Sequence, residues 1–112
     1  MIIINIAKDF SPIPGARYEI DGEFSGEEFR KKILIPKFEE ALEKKEQILI
    51  DFDGGYGYLI SFLEEAFGGL ARIYGSDKVE DVLLFKSDEE EALVEKVKSY
   101  IKSAIKNNEK KK

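Results

Sequence analysis

Two short apolar runs set the limits on how this chain can fold. Gln47-Ile48-Leu49-Ile50-Asp51-Phe52 and Val82-Leu83-Leu84-Phe85 are too short for typical helices and nearly continuous in large apolar residues. Such runs suit inner strands of a sheet covered by helices. The segment between them has helical period, with Leu63, Ala66, Phe67, Leu70 and Tyr74 on one stripe. Strand, helix and strand in that order imply a parallel pair joined by a right-handed crossover. A later helix carries Leu93, Val94, Val97, Tyr100, Ile101, Ala104 and Ile105 on one face. An earlier one carries Phe29, Ile33, Phe38, Ala41 and Leu42, with Pro36 inside it. Proline lacks the N–H and crowds the preceding turn, so that helix should kink or split there.

The N-terminal part adds the remaining elements. Ile2-Ile3-Ile4-Asn5-Ile6 reads as a strand, and Ser11-Pro12-Ile13-Pro14-Gly15 as a rigid turn that cannot continue it. Arg17-Tyr18-Glu19-Ile20 alternates and reads as a second strand ending at Asp21-Gly22. The chain is therefore expected to be one α/β domain over residues 1–106, a mixed sheet of about four strands carrying three main helices. Residues 107–112 read as a basic, solubilising tail. Each helix opens with Ser-x-x-Glu: Ser25 with Glu28, Ser61 with Glu64, Ser87 with Glu90. That spacing is the reciprocal cap, serine on a backbone N–H and glutamate reaching back.

What the 112 residues lack removes whole classes of chemistry. There is no cysteine, so disulfides and thiolate metal sites are excluded, and no histidine, so the usual general base and commonest metal ligand are missing. No apolar run is long enough to span a bilayer, and the N-terminal residues lack a signal peptide's basic flank, so no membrane role and a cytoplasmic setting are expected. Residues 1–95 hold eleven basic against twenty-two acidic side chains, whereas residues 96–112 hold seven lysines and one glutamate. An acidic body disfavours nucleic acid, where affinity comes from neutralising phosphates. The expected role is protein binding, not catalysis, with no cofactor.

Two stretches could still carry chemistry. Asp51-Phe52-Asp53-Gly54-Gly55-Tyr56-Gly57-Tyr58 runs from a strand into a glycine-rich loop, yet it lacks the G-x-x-x-x-G-K spacing and its lysine. Its carboxylates, with Glu64, leave an alternative in which a metal-binding or enzymatic domain uses Asp51, Asp53 and Glu64 around a hard cation. The second feature is the arginines. Lysine outnumbers arginine fifteen to three, yet Arg17, Arg30 and Arg72 fall in the least random-looking stretches. A planar guanidinium suits bidentate pairing with carboxylates, here Glu27, Glu28, Glu64 or Glu65. The same groups, Arg17, Arg30, Glu64, Glu65 and Arg72, are candidate partner-binding residues. Gly68-Gly69, unfavourable inside a helix, signals close packing or a surface kept flat.

Gly15-Ala16-Arg17, Asp21-Gly22, Ser25-Gly26-Glu27-Glu28-Phe29-Arg30 and Ser61-Phe62-Leu63-Glu64-Glu65-Ala66-Phe67-Gly68-Gly69-Leu70-Ala71-Arg72 together resemble the small bacterial STAS-like domain family of unknown function, over roughly residues 1–86. STAS domains are similar to anti-anti-sigma proteins, which are signalling and docking modules. The resemblance implies a non-enzymatic regulatory module whose protein partner is a histidine-kinase-type ATPase or an anti-sigma-like factor. In the anti-anti-sigma proteins, phosphorylation of a serine at the start of the second major helix breaks the complex. That serine follows a strand aspartate by the interval that separates Asp51 from Ser61 here, which makes Ser61 a candidate phosphosite as well as a helix cap. The family's Asp-Ser-Ser-Gly-Leu context is replaced by Leu59-Ile60-Ser61-Phe62-Leu63, without the acidic neighbour or the glycine.

Overall fold

A computed structural model describes residues 1–104 of the chain. The basic tail, residues 107–112, and the end of the expected domain therefore lie outside the described residues. Among the described residues three strands form the sheet: β1 (Ile2–Asn5), β2 (Ile48–Asp51) and β3 (Leu83–Lys86), in spatial order β1-β2-β3 and all parallel. The two apolar runs thus pair side by side and parallel, with Ile48 opposite Leu83 and Ile50 opposite Phe85. The expectation of a mixed sheet of about four strands is corrected. Arg17-Tyr18-Glu19-Ile20 forms no strand; Glu19–Asp21 is a single 3₁₀ turn with Ile20 93% exposed. Alternation alone makes a strand only where a sheet edge is available to pair with it.

Among the described residues five helices accompany the strands, four of them substantial where three main ones were expected. The short α1 (Ile6–Asp9) leaves β1, its first turn capped by the Asn5 side chain accepting from the Lys8 N–H. Helix α2 runs over residues 26–44 as Gly26–Phe29, a wider π turn at Arg30–Leu34, and Ile35–Lys44. Pro36 neither breaks nor divides it, because the widened turn just ahead takes up the mismatch a missing N–H creates. Helix α3 covers residues 60–74, again with a π turn, at Glu64–Gly68, between Ile60–Leu63 and Gly69–Tyr74. α4 (Ser76–Val82) leads into β3, and α5 (Ala92–Ser103) closes the described chain.

α3 is the central helix, buried almost all round. A chain of rings crosses the core, Phe10 to Phe29 at 5.3 Å between centroids, Phe29 to Phe67 at 6.1 Å and Phe67 to Phe52 at 5.8 Å. Phe29, Phe38, Phe62 and Phe67 are fully buried, each stabilising the fold by roughly 1.5–3 kcal/mol. The inner row of the sheet, Ile4, Ile50 and Phe85, faces this core. On its other face Ile3 and Leu84 are exposed, so this parallel sheet carries its helices on one side only.

Candidate functional site

The approach of α2 to α3 builds the polar site. The loop after the two prolines is tied to the start of α2: the Gly26 N–H donates to the Ala16 carbonyl at 2.9 Å and the Glu27 N–H to the Arg17 carbonyl at 3.0 Å. These bonds satisfy first-turn N–H groups that a helix cannot pair internally, and they place Arg17 over α3. Ser25 caps α2 as its spacing predicts, accepting from the Glu28 N–H at 3.0 Å. A Cβ on Gly26 would stand 2.5 Å from the Phe62 carbonyl oxygen, so only glycine lets the two helices come this close.

At that crossing the three arginines converge on the π turn of α3. Arg17 bonds Glu64 at 2.6 Å and lies 3.5 Å from Glu65. Arg30 donates to the Glu65 carboxylate and to the Glu65 backbone carbonyl, both at 2.7 Å. Arg72 bonds the other oxygen of Glu64 at 2.6 Å. Glu65 is buried, and so is the Arg30 Nε, which has no hydrogen-bond partner among the described residues. The bond from Arg72, and after it the bond from Arg17, holds the Glu64 carboxyl below its ordinary range against the opposing effect of burial. The bond to Glu64 raises the Arg17 guanidinium above its ordinary value. Gly68 and Gly69 make the room: a Cβ on Gly69 would collide with the Arg30 guanidinium, and one on Gly68 would lie 2.6 Å from a Glu64 carboxylate oxygen. Their signal in the sequence was close packing, against a side-chain network instead of a backbone. Glu27 and Glu28 stand apart from it, each bonded to a backbone N–H, of Glu19 and Phe24, and paired with Lys31 and Lys32.

Ser61 is corrected as a cap. The N-cap of α3 is Leu59, whose backbone is extended, and Ser61 lies inside the first turn with no side-chain cap bond formed there. Ser87 likewise donates its hydroxyl to the Glu90 carbonyl at 2.7 Å instead of opening α5, whose N-cap is Glu91. Spacing placed both serines near helix starts; hydrophobic packing of the following turns moved the starts themselves.

The acidic loop is organised differently from a cation site. Asp53 accepts from Lys86 Nζ at 2.7 Å and from the N–H groups of Asp88 and Glu89 at 3.1 and 3.0 Å. The bond from Lys86, followed by that from the Glu89 N–H, lowers the Asp53 carboxyl to about 2. Asp51 accepts from the Asp53 N–H at 3.0 Å, while Glu64 is in the arginine network. The grouping of Asp51, Asp53 and Glu64 around one ion is therefore not formed, and no group of three or more potential ligands occurs among the described residues.

A feature missed in the sequence lies on the loops that precede Arg17 and α3. Ile13, Tyr56, Leu59 and Ile60 are large, apolar and 65%, 84%, 55% and 61% exposed. The first three line a groove of about 450 Å³ with Pro14, Gly15, Gly57 and Tyr58, and Ile60 adjoins it on α3. The Tyr56 N–H donates to the Pro12 carbonyl at 2.8 Å and fastens the two loops together. The signal was present: Ile13 between prolines, Tyr56 among glycines, and Leu59 and Ile60 off the apolar stripe of α3, none with a place in the core.

Among the described residues no helix is long and apolar enough to cross a membrane. No curated protein and no solved structure matches the chain. A family model does: the STAS-like domain of unknown function (DUF4325) matches residues 25–92, a span holding α2 with its serine cap, β2, the acidic loop, α3 with Glu64, Glu65 and Arg72, and β3. The chain belongs to that STAS-like family.

Proposed function

We propose that this chain is a non-enzymatic regulatory module that binds a protein partner through the face formed by Ile13, Tyr56, Leu59 and Ile60, with Arg17 and Glu64 at its border. The observation that carries the reading is the exposed apolar patch. Contiguous apolar surface rimmed by polar groups marks an interaction site on a small domain. The bond from the Tyr56 N–H to the Pro12 carbonyl holds together the two loops that carry the patch, so less ordering is needed on binding. The family resemblance supplies the partner class, a histidine-kinase-type ATPase or an anti-sigma-like factor, and the switch, phosphorylation of Ser61. Ser61 precedes Glu64 by three residues and so shares its side of α3. Because Glu64 is already held by two arginines, a phosphate on Ser61 acts by competing for Arg17 instead of by deepening a negative face.

The test is a titration of the isotope-labelled chain with a histidine-kinase-type ATPase domain from the same organism, read by amide shifts and by affinity. Shifts should centre on residues 13–15 and 56–61. The pair Tyr56→Ala and Leu59→Asp should weaken binding at least about tenfold, as loss of a central anchor does, and Lys37→Glu on the exposed side of α2 should not. Ser61→Asp should weaken it as well. Unchanged affinity in the Tyr56→Ala/Leu59→Asp variant would overturn the docking face, and unchanged affinity in Ser61→Asp would overturn the switch alone.

A further inference from the structure

The outer edge of β3 forms a second feature, which the docking face leaves unexplained. β3 ends the sheet, so one of its sides has no neighbouring strand among the described residues. In a parallel ladder alternate residues bond to a given neighbour. The Phe52 N–H on the β2 side donates to the Lys86 carbonyl at 2.9 Å, which assigns Lys86 and Leu84 to β2. Phe85 therefore turns its backbone N–H and C=O to the outer edge. The Leu83 carbonyl points the same way, while its N–H is used by the Val79 carbonyl at the end of α4.

That edge opens into a groove of about 470 Å³, lined by Leu83, Leu84 and Phe85 along the strand, Glu80 of α4, and Lys98, Ile101 and Lys102 of α5. Three consecutive strand residues line it, so the groove presents the strand's side and not a pleated face. Its floor is apolar, and its α5 wall carries two basic groups against the single carboxylate of Glu80 on α4: Lys98 and Lys102 are one helical turn apart and both exposed. The rest of the body is acidic, with twenty-two carboxylates against eleven basic groups over residues 1–95.

We infer that this edge binds an extended acidic segment of a partner protein as an added fourth strand. Unpaired strand groups supply main-chain bonds, the apolar floor takes alternate side chains, and Lys98 and Lys102 pair with carboxylates on the segment. Charge selects this occupant over a second copy of the chain. Two-fold pairing of β3 with its own copy would bring two lysine walls together, and like charges placed across an interface oppose it. The inference is independent of the docking face on the opposite loops and of any role for Ser61.

The experiment uses the full chain and synthetic peptides of about six residues, a strand's usual length. One peptide alternates glutamate and valine, one lysine and valine, and a third is the acidic peptide with alternate amides N-methylated. Fluorescence anisotropy gives affinity and amide shifts give the location. The acidic peptide should bind, shift residues 83–86 and 98–102, and weaken as salt is raised. The N-methylated form should fail to bind, since it keeps every charge and loses the strand bonds. Lys98→Glu with Lys102→Glu, both on the solvent side of α5, should reduce affinity at least about tenfold with an unchanged circular dichroism spectrum. The inference is overturned if the acidic peptide does not bind, if the basic or N-methylated peptide binds equally well, or if the shifts fall on residues 13–15 and 56–61. It is also overturned if sedimentation shows a dimer of the chain that the acidic peptide fails to dissociate and whose interface maps to β3.

Discussion

Gly69 has no side chain where any side chain would strike the guanidinium of Arg30. Alanine is favoured over glycine inside a helix by about 1 kcal/mol, so Gly69→Ala would stabilise an ordinary helix. Here Arg30 cannot step aside without losing its bonds to the Glu65 carboxylate and carbonyl, each worth about 1.5–3 kcal/mol for a charged group. The second effect wins, and Gly69→Ala should destabilise the fold by about 1–2 kcal/mol. In an Arg30→Ala background the collision is gone, and the same change should stabilise by up to about 1 kcal/mol. Urea unfolding of the four proteins in this cycle checks the reversal of sign; an equal effect in both backgrounds would mean that Gly69 is not there for Arg30. At this scale the sequence was informative through rarity: three arginines among fifteen lysines marked side chains whose geometry matters. Their carboxylate partners were only narrowed down. Glu27 and Glu28 sat as close in sequence as Glu64 and Glu65, and only the crossing at Gly26 decides which pair meets the arginines.

At the scale of elements, Ser25 and Ser61 carry the same Ser-x-x-Glu spacing and have different roles. Ser25 is fully buried and accepts from the Glu28 N–H, so Ser25→Ala should cost about 1 kcal/mol. Ser61 makes no cap bond, because α3 begins a turn's fraction earlier, with Leu59 as its N-cap. Ser61→Ala should therefore change stability by less than about 0.5 kcal/mol. Thermal unfolding of the two variants side by side is the measurement, and equal losses would restore Ser61 to a capping role. The spacing could not separate the two cases. A capping box needs a serine outside the helix, and what fixes the start of α3 is burial of Phe62 and Leu63, a tertiary effect. Pro36 was misleading in the same way. It forbids one hydrogen bond, and a π turn at Arg30–Leu34 absorbs the loss while turning Leu34 fully into the core.

At the scale of the whole molecule, the parallel pairing of β2 with β3 was legible because two apolar runs flanked a segment of helical period. The absent fourth strand was not, since Arg17-Tyr18-Glu19-Ile20 alternates as a strand does but lies where the loop must reach over α3 to deliver Arg17. What fastens the C-terminal ends of the neighbouring strands β2 and β3 is Asp53, which ties the loop after β2 to Lys86 at the end of β3 and to the turn before α5. This tie makes the stability of the whole fold depend on pH in a definable window. The Asp53 carboxyl titrates at about 2 in the folded protein and near its ordinary 3.8 once unfolded, so the unfolded chain binds the proton first as pH falls. Its contribution is complete above about pH 4, and it is lost as pH drops through about 2. Glu64, lowered chiefly by Arg72, acts in the same direction. Asp53→Asn should therefore lower stability at neutral pH and flatten the fall of stability between about pH 4 and about 2. Lys86→Met should flatten it too, because without the ammonium Asp53 loses the largest influence holding its proton off. Urea midpoints measured at intervals across that range give the slopes directly. A slope in Asp53→Asn as steep as in the unaltered protein would place the acid-sensitive contact elsewhere, with the pairing of Glu64 to Arg72 and Arg17 the next to be tested.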